Sequence, residues 1–516
     1  MVTKITQPDI MATNDEDGPL DTKFGKFVTE TLELWHVPGV SVAVVDGETT
    51  YAKGYGIASI PDVPMTPSTL VYAGSTTKAF TAAVMSLLVE DNENYPHIQW
   101  DTPIHQLLHD DFVLENEYAT NHTTIEDALS HRSGLPRHDQ AYGATSSGQK
   151  ATLKYIVRSM RHLPLTAEPR TKYQYCNMMY MVAAHIIETV TSCKIGDLMR
   201  EQIWKPLNMN STFSSLGDAK KAKGDLARGY YYSDGKYHEV DWMELDQAAG
   251  AGNVISSVLD YAKWARAIMD KKTPLSAASL EELFHPRTIM PFEEPYLVSR
   301  MYSLGWQTGI YHGHRFYEHA GGMNAFGTEL ILFPDKKFSV IAFANTAGTS
   351  NFVEQMLAFQ LIDDKLGVPM EDRFDWNKQS QATVSRGQYH ALHAKSIFFP
   401  TLPSPVLPPT LSLASYAGTY YHPGYQNLTI FFDSSTKGLR AERSGSTNLE
   451  SMSFEHVSGE YFLITANVVG DLNALFPQIY PAEFRIGADG KVGQVGIRWE
   501  EEMGEEKIWL RRVDSK

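Results

Sequence analysis

A chain of 516 residues with 43% hydrophobic and 21% charged residues is long enough for two or three domains and a large core. Its net charge of −16 argues against a nucleic-acid or anionic-membrane partner, which would need a basic surface. Two cysteines, Cys176 and Cys193, exclude a disulfide framework; no apolar run reads as a bilayer span or a secretory signal, so a cytoplasmic protein is expected.

Residues 1–20 read as a polar, flexible tail. Thr22 to Trp35 carries Phe24, Phe27, Val28 and Leu32 at helical spacing and stops at Pro38-Gly39. Val40 to Val45 reads as a strand, Asp46-Gly47 as a turn and Thr50 to Ile57 as the returning strand. A helix opening near Ser75 carries Phe80, Ala83, Val84, Leu87 and Leu88 on one stripe. The pattern stays largely helical to about residue 290. Strand signals return at Leu304 to Gly309, Phe316 to His319, Thr328 to Phe333 and Phe338 to Phe343, and a helix from Asn351 to Lys365 follows. This order predicts an α+β unit over 21–375, an antiparallel sheet flanked by helices with an all-helical lobe inserted at about 90–290. Residues 376–398 read as polar and irregular and 399–409 as a stiff Pro-rich strap, so 376–410 is a linker. Short strand pieces across 411–516 predict a separate all-β, barrel-like domain.

Three stretches carry chemistry. In Ala73-Gly74-Ser75-Thr76-Thr77-Lys78, residues three apart share a helix face, so the Lys78 amine can reach the Ser75 hydroxyl. A buried, neutral amine beside a serine can take its proton. The same spacing recurs at Ser147/Lys150, Ser233/Lys236 and Ser434/Lys437, but those lie in loop-like clusters that open no amphipathic helix. On local context alone, a helix N-cap serine followed by a solvated lysine is an equal reading of Ser75. The second stretch, Tyr175-Cys176-Asn177, heads another apolar helical run; a tyrosine near a lysine can have a lowered pKa and relay a proton. The third, Glu318-His319-Ala320-Gly321-Gly322, is a glycine-rich strand edge able to offer N–H groups to a carbonyl oxygen.

In this order, Ser-x-x-Lys, Tyr-x-Asn and His-x-Gly resemble the serine β-lactamase and penicillin-binding protein superfamily, over roughly residues 25–365. The likeness is to the branch of class C β-lactamases, D-aminopeptidases and family VIII esterases. His36-Val37-Pro38-Gly39, Leu129-Ser130-His131-Arg132-Ser133-Gly134 and Leu304-Gly305-Trp306 resemble that branch too, and the segment around Tyr416 to Tyr425 is similar to lipocalin-like C-terminal domains. The resemblance implies that Ser75 is the acylated nucleophile and that Lys78 and Tyr175 share general-base and general-acid duty. It implies an orienting role for Asn177, an oxyanion hole from the N–H groups of Ser75 and Gly322, and substrate contacts from Asn177, His319, Ala320 and Gly321. The family's usual third motif has Lys-Thr-Gly or Lys-Ser-Gly; His319-Ala320-Gly321 lacks both the cation and the hydroxyl that help hold a substrate carboxylate. Neutral esters, lactones or amides are therefore expected in preference to β-lactams. An esterase or lactonase comes first, an acyltransferase to an alcohol or amine second and a D-aminopeptidase or amidase third. A binding scaffold that has retired its chemistry is the reading from another class.

No cofactor or metal is expected. His312 and His314 would face one side of a strand and His319 the other; His390 and His393 read as solvated linker residues. Gly54-Tyr55-Gly56 and Ala249-Gly250-Ala251-Gly252 lack the context of a nucleotide loop. Arg137-His138-Asp139 reads either as a cleft entrance or as a plain surface loop. Oligomeric state is not legible.

Overall fold

The computed structural model describes residues 18–513 apart from 144, 147–148, 223, 444, 448–449, 469–474 and 476. The predicted polar tail thus falls almost wholly outside the described residues, as does Ser147.

Helix α1 (Thr22–Trp35) begins where the Asp21 carboxylate accepts from the Phe24 N–H at 2.7 Å. It buries Phe24, Val28, Leu32 and Trp35. Strands β1 (Gly39–Asp46) and β2 (Thr49–Ser59) follow. Helix α2 (Thr77–Glu90) is buried nearly all round, because helices of the inserted lobe surround it. The lobe includes α3 (Asn177–Thr191) and α4 (Val258–Met269), with two small hairpins among its helices. The chain then returns to the sheet as β3 (Gln307–Tyr311), β4 (His314–Met323), β5 (Phe326–Phe333) and β6 (Phe338–Ala344), and α5 (Ser350–Leu366) packs against β5 and β6.

The sheet has nine strands, with β3-β4-β5-β6-β1-β2 in its middle and short strands at Thr288–Ile289, Met301–Tyr302 and Val63–Pro64 at its edges. Strand β1 joins the first strand pair to the last group by pairing antiparallel with β6, Val42 opposite Ala342. Val40, Val42 and Val44 pack with α1 and α5 on one face, while Ala43 and Val45 pack toward the lobe on the other. A strand covered on both faces reads as the unbroken apolar run that this one is. Each such fully buried valine contributes about 1.5–3 kcal/mol.

Residues 376–398, expected to be irregular, form helix α6 (Trp376–Phe398). Asp375 caps it by accepting from the Lys378 N–H, and Gln, Ala, Lys, Arg and Leu supply helix propensity without an apolar stripe. The missing stripe has a physical reason: the helix is largely exposed and bridges two bodies. Trp376 stacks near Phe359 of α5, while Ala394 packs with Val457 and Leu463 of the C-terminal unit. His390 and His393 sit on this helix.

The C-terminal unit is a closed antiparallel barrel of eight strands, β7 (Gly418–His422), β8 (Gln426–Asp433), β9 (Gly438–Glu442), β10 (Glu450–Ser458), β11 (Tyr461–Val468), β12 (Gln478–Ile486), β13 (Val492–Ile497) and β14 (Ile508–Val513). Pairing of β7 with β14, Tyr420 opposite Arg512, closes it and removes any free edge. Tyr416, Phe454, Phe462 and Phe484 fill the interior, with Tyr416 and Phe484 ring centroids 5.0 Å apart. Among the described residues no helix is long and apolar enough to cross a membrane.

Candidate active site

Ser75 lies in a single helical turn, Gly74–Thr76, that leads into α2. Its hydroxyl caps no backbone N–H, which removes the N-cap reading. Thr76 holds the turn instead, donating to the Ala73 carbonyl at 2.7 Å and sharing a hydrogen bond with the Tyr261 hydroxyl. Of the other Ser-x-x-Lys pairs, Ser233/Lys236 spans a hairpin turn, Ser434/Lys437 spans the turn between β8 and β9, and Ser147 lies outside the described residues.

Lys78 is fully buried, and its Nζ has three polar neighbours: Ser75 Oγ at 3.0 Å, Asn177 Oδ1 at 2.8 Å and the Ala251 carbonyl at 2.8 Å. The Ala251 carbonyl can only accept. So can Asn177 Oδ1, whose amide is oriented by its own Nδ2 donating to Asp139 Oδ1 at 3.2 Å. A neutral amine has two N–H groups and one lone pair. Its two donors go to these acceptors, and the lone pair is left facing the Ser75 hydroxyl. Burial holds the Lys78 pKa well below its ordinary value, and the Arg137 guanidinium adds to the depression against the opposing pull of Asp139.

Tyr175, partly exposed, donates from its phenol to Ser75 Oγ at 2.8 Å. Burial pushes this phenol well up, so the expectation of a lowered tyrosine pKa is corrected: Tyr175 is a neutral donor, and the amine carries the depressed pKa. His131 lies under the tyrosine, ring centroids 4.2 Å apart, and its Nδ1 accepts from the Cys176 N–H at 3.0 Å, tying the Tyr175–Asn177 segment to the loop after Leu129. Cys176 is fully buried and its thiol is pushed up to about 12 by burial, which makes it a packing residue.

Strand β4 runs along the other side of the turn. A two-residue turn joins β4 to β5, with Met323 opposite Phe326, so the next pair inward, Gly322 and Gly327, is the non-bonded kind and Gly322 directs its N–H away from β5. A Cβ on Gly74, whose φ is +52°, would lie 2.8 Å from Gly322 N, and one on Gly321 would lie 2.2 Å from the Ala73 carbonyl oxygen. Only glycine lets turn and strand approach this closely. Gly74, the residue before Ser75, therefore lies directly against Gly321 and Gly322.

Alternation along β4 divides the third motif. Ala320 and Gly322 are exposed to the cleft, whereas His319 and Gly321 point inward. The His319 Nδ1–H donates to the Ala320 carbonyl at 2.6 Å and its Nε2 accepts from the Tyr302 hydroxyl at 2.9 Å. Burial and the nearby Lys78 push its pKa down to about 3. His319, expected to contact substrate, is a buried, neutral imidazole with both ring nitrogens hydrogen-bonded within the protein. His314 pairs with Asp335 and His312 faces solvent, so the three histidines do not converge, and among the described residues no group of three His, Cys, Asp or Glu could hold a metal.

The Arg137-His138-Asp139 run lies on the site, which decides between its two sequence readings. The Arg137 guanidinium stands 4.9 Å over the Tyr175 ring, and its Nε donates to Asp139 Oδ2 at 2.7 Å. Asp139 also accepts from Tyr142 and Asn177. The contacts that place this run on the site, to Tyr175 and Asn177, are distant in sequence and leave no mark on the local pattern; the Ala251 carbonyl is equally invisible, being backbone.

The family model described as Beta-lactamase matches residues 25–362, and one described as Domain of unknown function (DUF3471) matches residues 402–512. Unguisins hydrolase ungD' of Aspergillus campestris is 47% identical over 507 residues, spanning 98% of this chain and 94% of that one. The solved structure of D-amino acid amidase from Ochrobactrum anthropi SV3 with L-phenylalanine amide is 25% identical with a TM-score of 0.55, over 67% of this chain and 98% of that one. The octameric penicillin-binding protein homologue from Pyrococcus abyssi shares the fold at 20% identity and a TM-score of 0.60, over 95% of this chain and 99% of that one.

Proposed function

The chain belongs to the beta-lactamase family, and on that footing we propose that it is a serine hydrolase that cleaves an amide bond through an acyl-enzyme on Ser75. The observation that carries this reading is the fully buried Lys78 Nζ 3.0 Å from Ser75 Oγ, with Asn177 Oδ1 and the Ala251 carbonyl as its other neighbours; when the amine is neutral these two take its N–H groups and its lone pair faces the Ser75 hydroxyl. Ser75 Oγ attacks the substrate carbonyl carbon as its proton passes to Lys78. The N–H groups of Ser75 and Gly322 receive the oxyanion. When the carbon–nitrogen bond breaks, the proton held on Lys78 returns to the leaving nitrogen through the Tyr175 hydroxyl, 2.8 Å from Oγ. Water then attacks the Ser75 ester by the same route in reverse and frees the acid.

The sequence alone ranks an ester first. Likeness to a D-amino acid amidase over two thirds of the chain favours an amide, and likeness to an unguisins hydrolase over nearly all of it makes an unguisin the first natural substrate to try. Acyl transfer to an alcohol or amine shares the first half of the reaction, but these relatives are named for hydrolysis. A neutral His319 agrees with a substrate that presents no carboxylate at the third motif.

The test is incubation with an unguisin and, separately, with D- and L-phenylalaninamide, following product acid and ammonia. Wild type should consume at least one of these and Ser75→Ala none. Turnover of activated esters with none of these amides would return the ester reading to first place.

A further inference from the structure

The Arg137–Asp139 run is held from two sides. Toward the catalytic unit, Arg137 and Asp139 meet Tyr175 and Asn177. Toward the C-terminal barrel, three polar or charged residues, all buried, make four hydrogen bonds to the run and to Gln140. The His138 N–H donates to Glu500 Oε2 at 2.7 Å, and the Tyr425 hydroxyl lies 2.6 Å from His138 Nδ1. Arg443 donates to the Gln140 carbonyl at 2.6 Å and to Gln140 Oε1 at 3.1 Å.

The roles in this clamp are fixed by elementary bookkeeping of donors. His138 Nε2 faces the Pro164 carbonyl at 2.9 Å, which only accepts, so the ring proton is on Nε2 and Nδ1 takes the Tyr425 proton. Burial pushes the His138 pKa down to about 4, in keeping with a neutral ring. Tyr425 is itself set by stacking on Trp499, ring centroids 5.0 Å apart and planes 3° from parallel, and Arg443 lies 4.9 Å from the same indole while donating to the Tyr425 carbonyl. His138 has φ +43°, a left-handed conformation unfavourable for a residue with a side chain, so the run needs outside contacts to keep its shape. The barrel's interior is filled by its own aromatic rings.

We propose that the C-terminal barrel is a positioning part of the active site: Tyr425, Arg443 and Glu500 hold residues 137–140 so that Asp139 orients the Asn177 amide and Arg137 stays over Tyr175. The inference rests on the reading of Ser75 and Lys78 given above. Its consequence is chemical as well as structural. The charged and titratable groups around Lys78 are Arg137, Asp139, Tyr175, Cys176, Tyr180, His131 and His319. Of these, Arg137 and Asp139 lie in the run that the barrel contacts. Release of the run takes away the guanidinium and the smaller opposing pull of Asp139 and admits water, and the net change favours the protonated amine.

The experiment follows acylation of the full-length protein by 4-nitrophenyl butyrate across pH 5–10, with thermal unfolding as the folding check. Tyr425→Phe keeps the stack on Trp499 and deletes only the donor to His138. It should slow acylation about tenfold at neutral pH and move the acid limb upward, the effect of one lost hydrogen bond on geometry. Glu500→Ala should do the same, while Glu500→Gln, which keeps an oxygen acceptor for the His138 N–H, should stay close to wild type. Folded Tyr425→Phe and Glu500→Ala proteins with the wild-type rate and pH profile would overturn the proposal. Should Tyr425→Phe fail to fold, the Glu500 pair decides by the same criterion. A wild-type protein that is never acylated would instead overturn the Ser75 reading beneath it.

Discussion

Lys78 Nζ stands 3.0 Å from Ser75 Oγ, at the one position around the amine where no obligate acceptor sits. Its other two neighbours, Asn177 Oδ1 and the Ala251 carbonyl, take its N–H groups, and full burial favours the uncharged amine. In the proposed cycle this pairing lets the neutral amine take the Ser75 proton. Acylation needs neutral Lys78, so its rate should rise with pH and level off well below the ordinary lysine value of 10.5. Lys78→Met should lose about 10³-fold in acylation rate and lose this acid limb, measured by stopped flow with an activated ester.

Tyr175→Phe tests the donor. The phenol steadies Ser75 Oγ and carries the returning proton in the proposed cycle. Amide cleavage, which needs a protonated leaving nitrogen, should fall about 10²-fold or more. Cleavage of a 4-nitrophenyl ester, whose leaving group departs without a proton, should fall much less. Equal losses on both substrates would assign Tyr175 to geometry alone.

The close approach of turn and strand makes two glycines unequal. Gly74→Ala requires a Cβ at positive φ, 2.8 Å from Gly322 N, and should separate the two N–H groups and abolish acylation. In Gly322→Ala the nearest atom is Asn351 Oδ1 at 3.3 Å, and most activity should survive. Comparison of kcat for the two variants checks the placement of the oxyanion space.

Behind the same strand, Glu329 is buried and its carboxyl is raised to about 8, by burial first and by the Glu318 charge second. Between its ordinary value of 4.5 and about 8, the folded chain keeps a proton that the unfolded chain has released. Stability therefore falls as pH rises through this window. Glu329→Gln should flatten that fall and be the more stable protein at pH 8, by about 1 kcal/mol or more, as measured by urea unfolding at pH 5 and 8.

How much of this was legible depended on where each signal resides. Helix α1 and strands β1, β2, β5 and β6 carry their periodicity in local sequence, and they were read to within about two residues. Helix α6 was missed because its residues bridge two bodies and face solvent, so no stripe marks it. In the barrel, β9 and β10 alternate Leu439, Ala441, Met452 and Phe454 with charged or small polar residues, a weak strand signal that only closure of the barrel makes sense of. Ser75, Lys78, Tyr175 and Asn177 were legible as spacing and are brought together in space. The inward turn of His319, the Ala251 carbonyl and the clamp on His138 were not legible, since each exists only through contacts between segments far apart in sequence.

The most direct measurement is the intact mass of wild type and Ser75→Ala after brief exposure to an activated aryl ester, followed by peptide mapping. A single acyl adduct on Ser75 in wild type, absent from the variant and absent or greatly slowed in Lys78→Met, is the expected result. Adducts formed equally in Ser75→Ala, or none in wild type even with a fluorophosphonate, would contradict the assignment of Ser75 as the nucleophile.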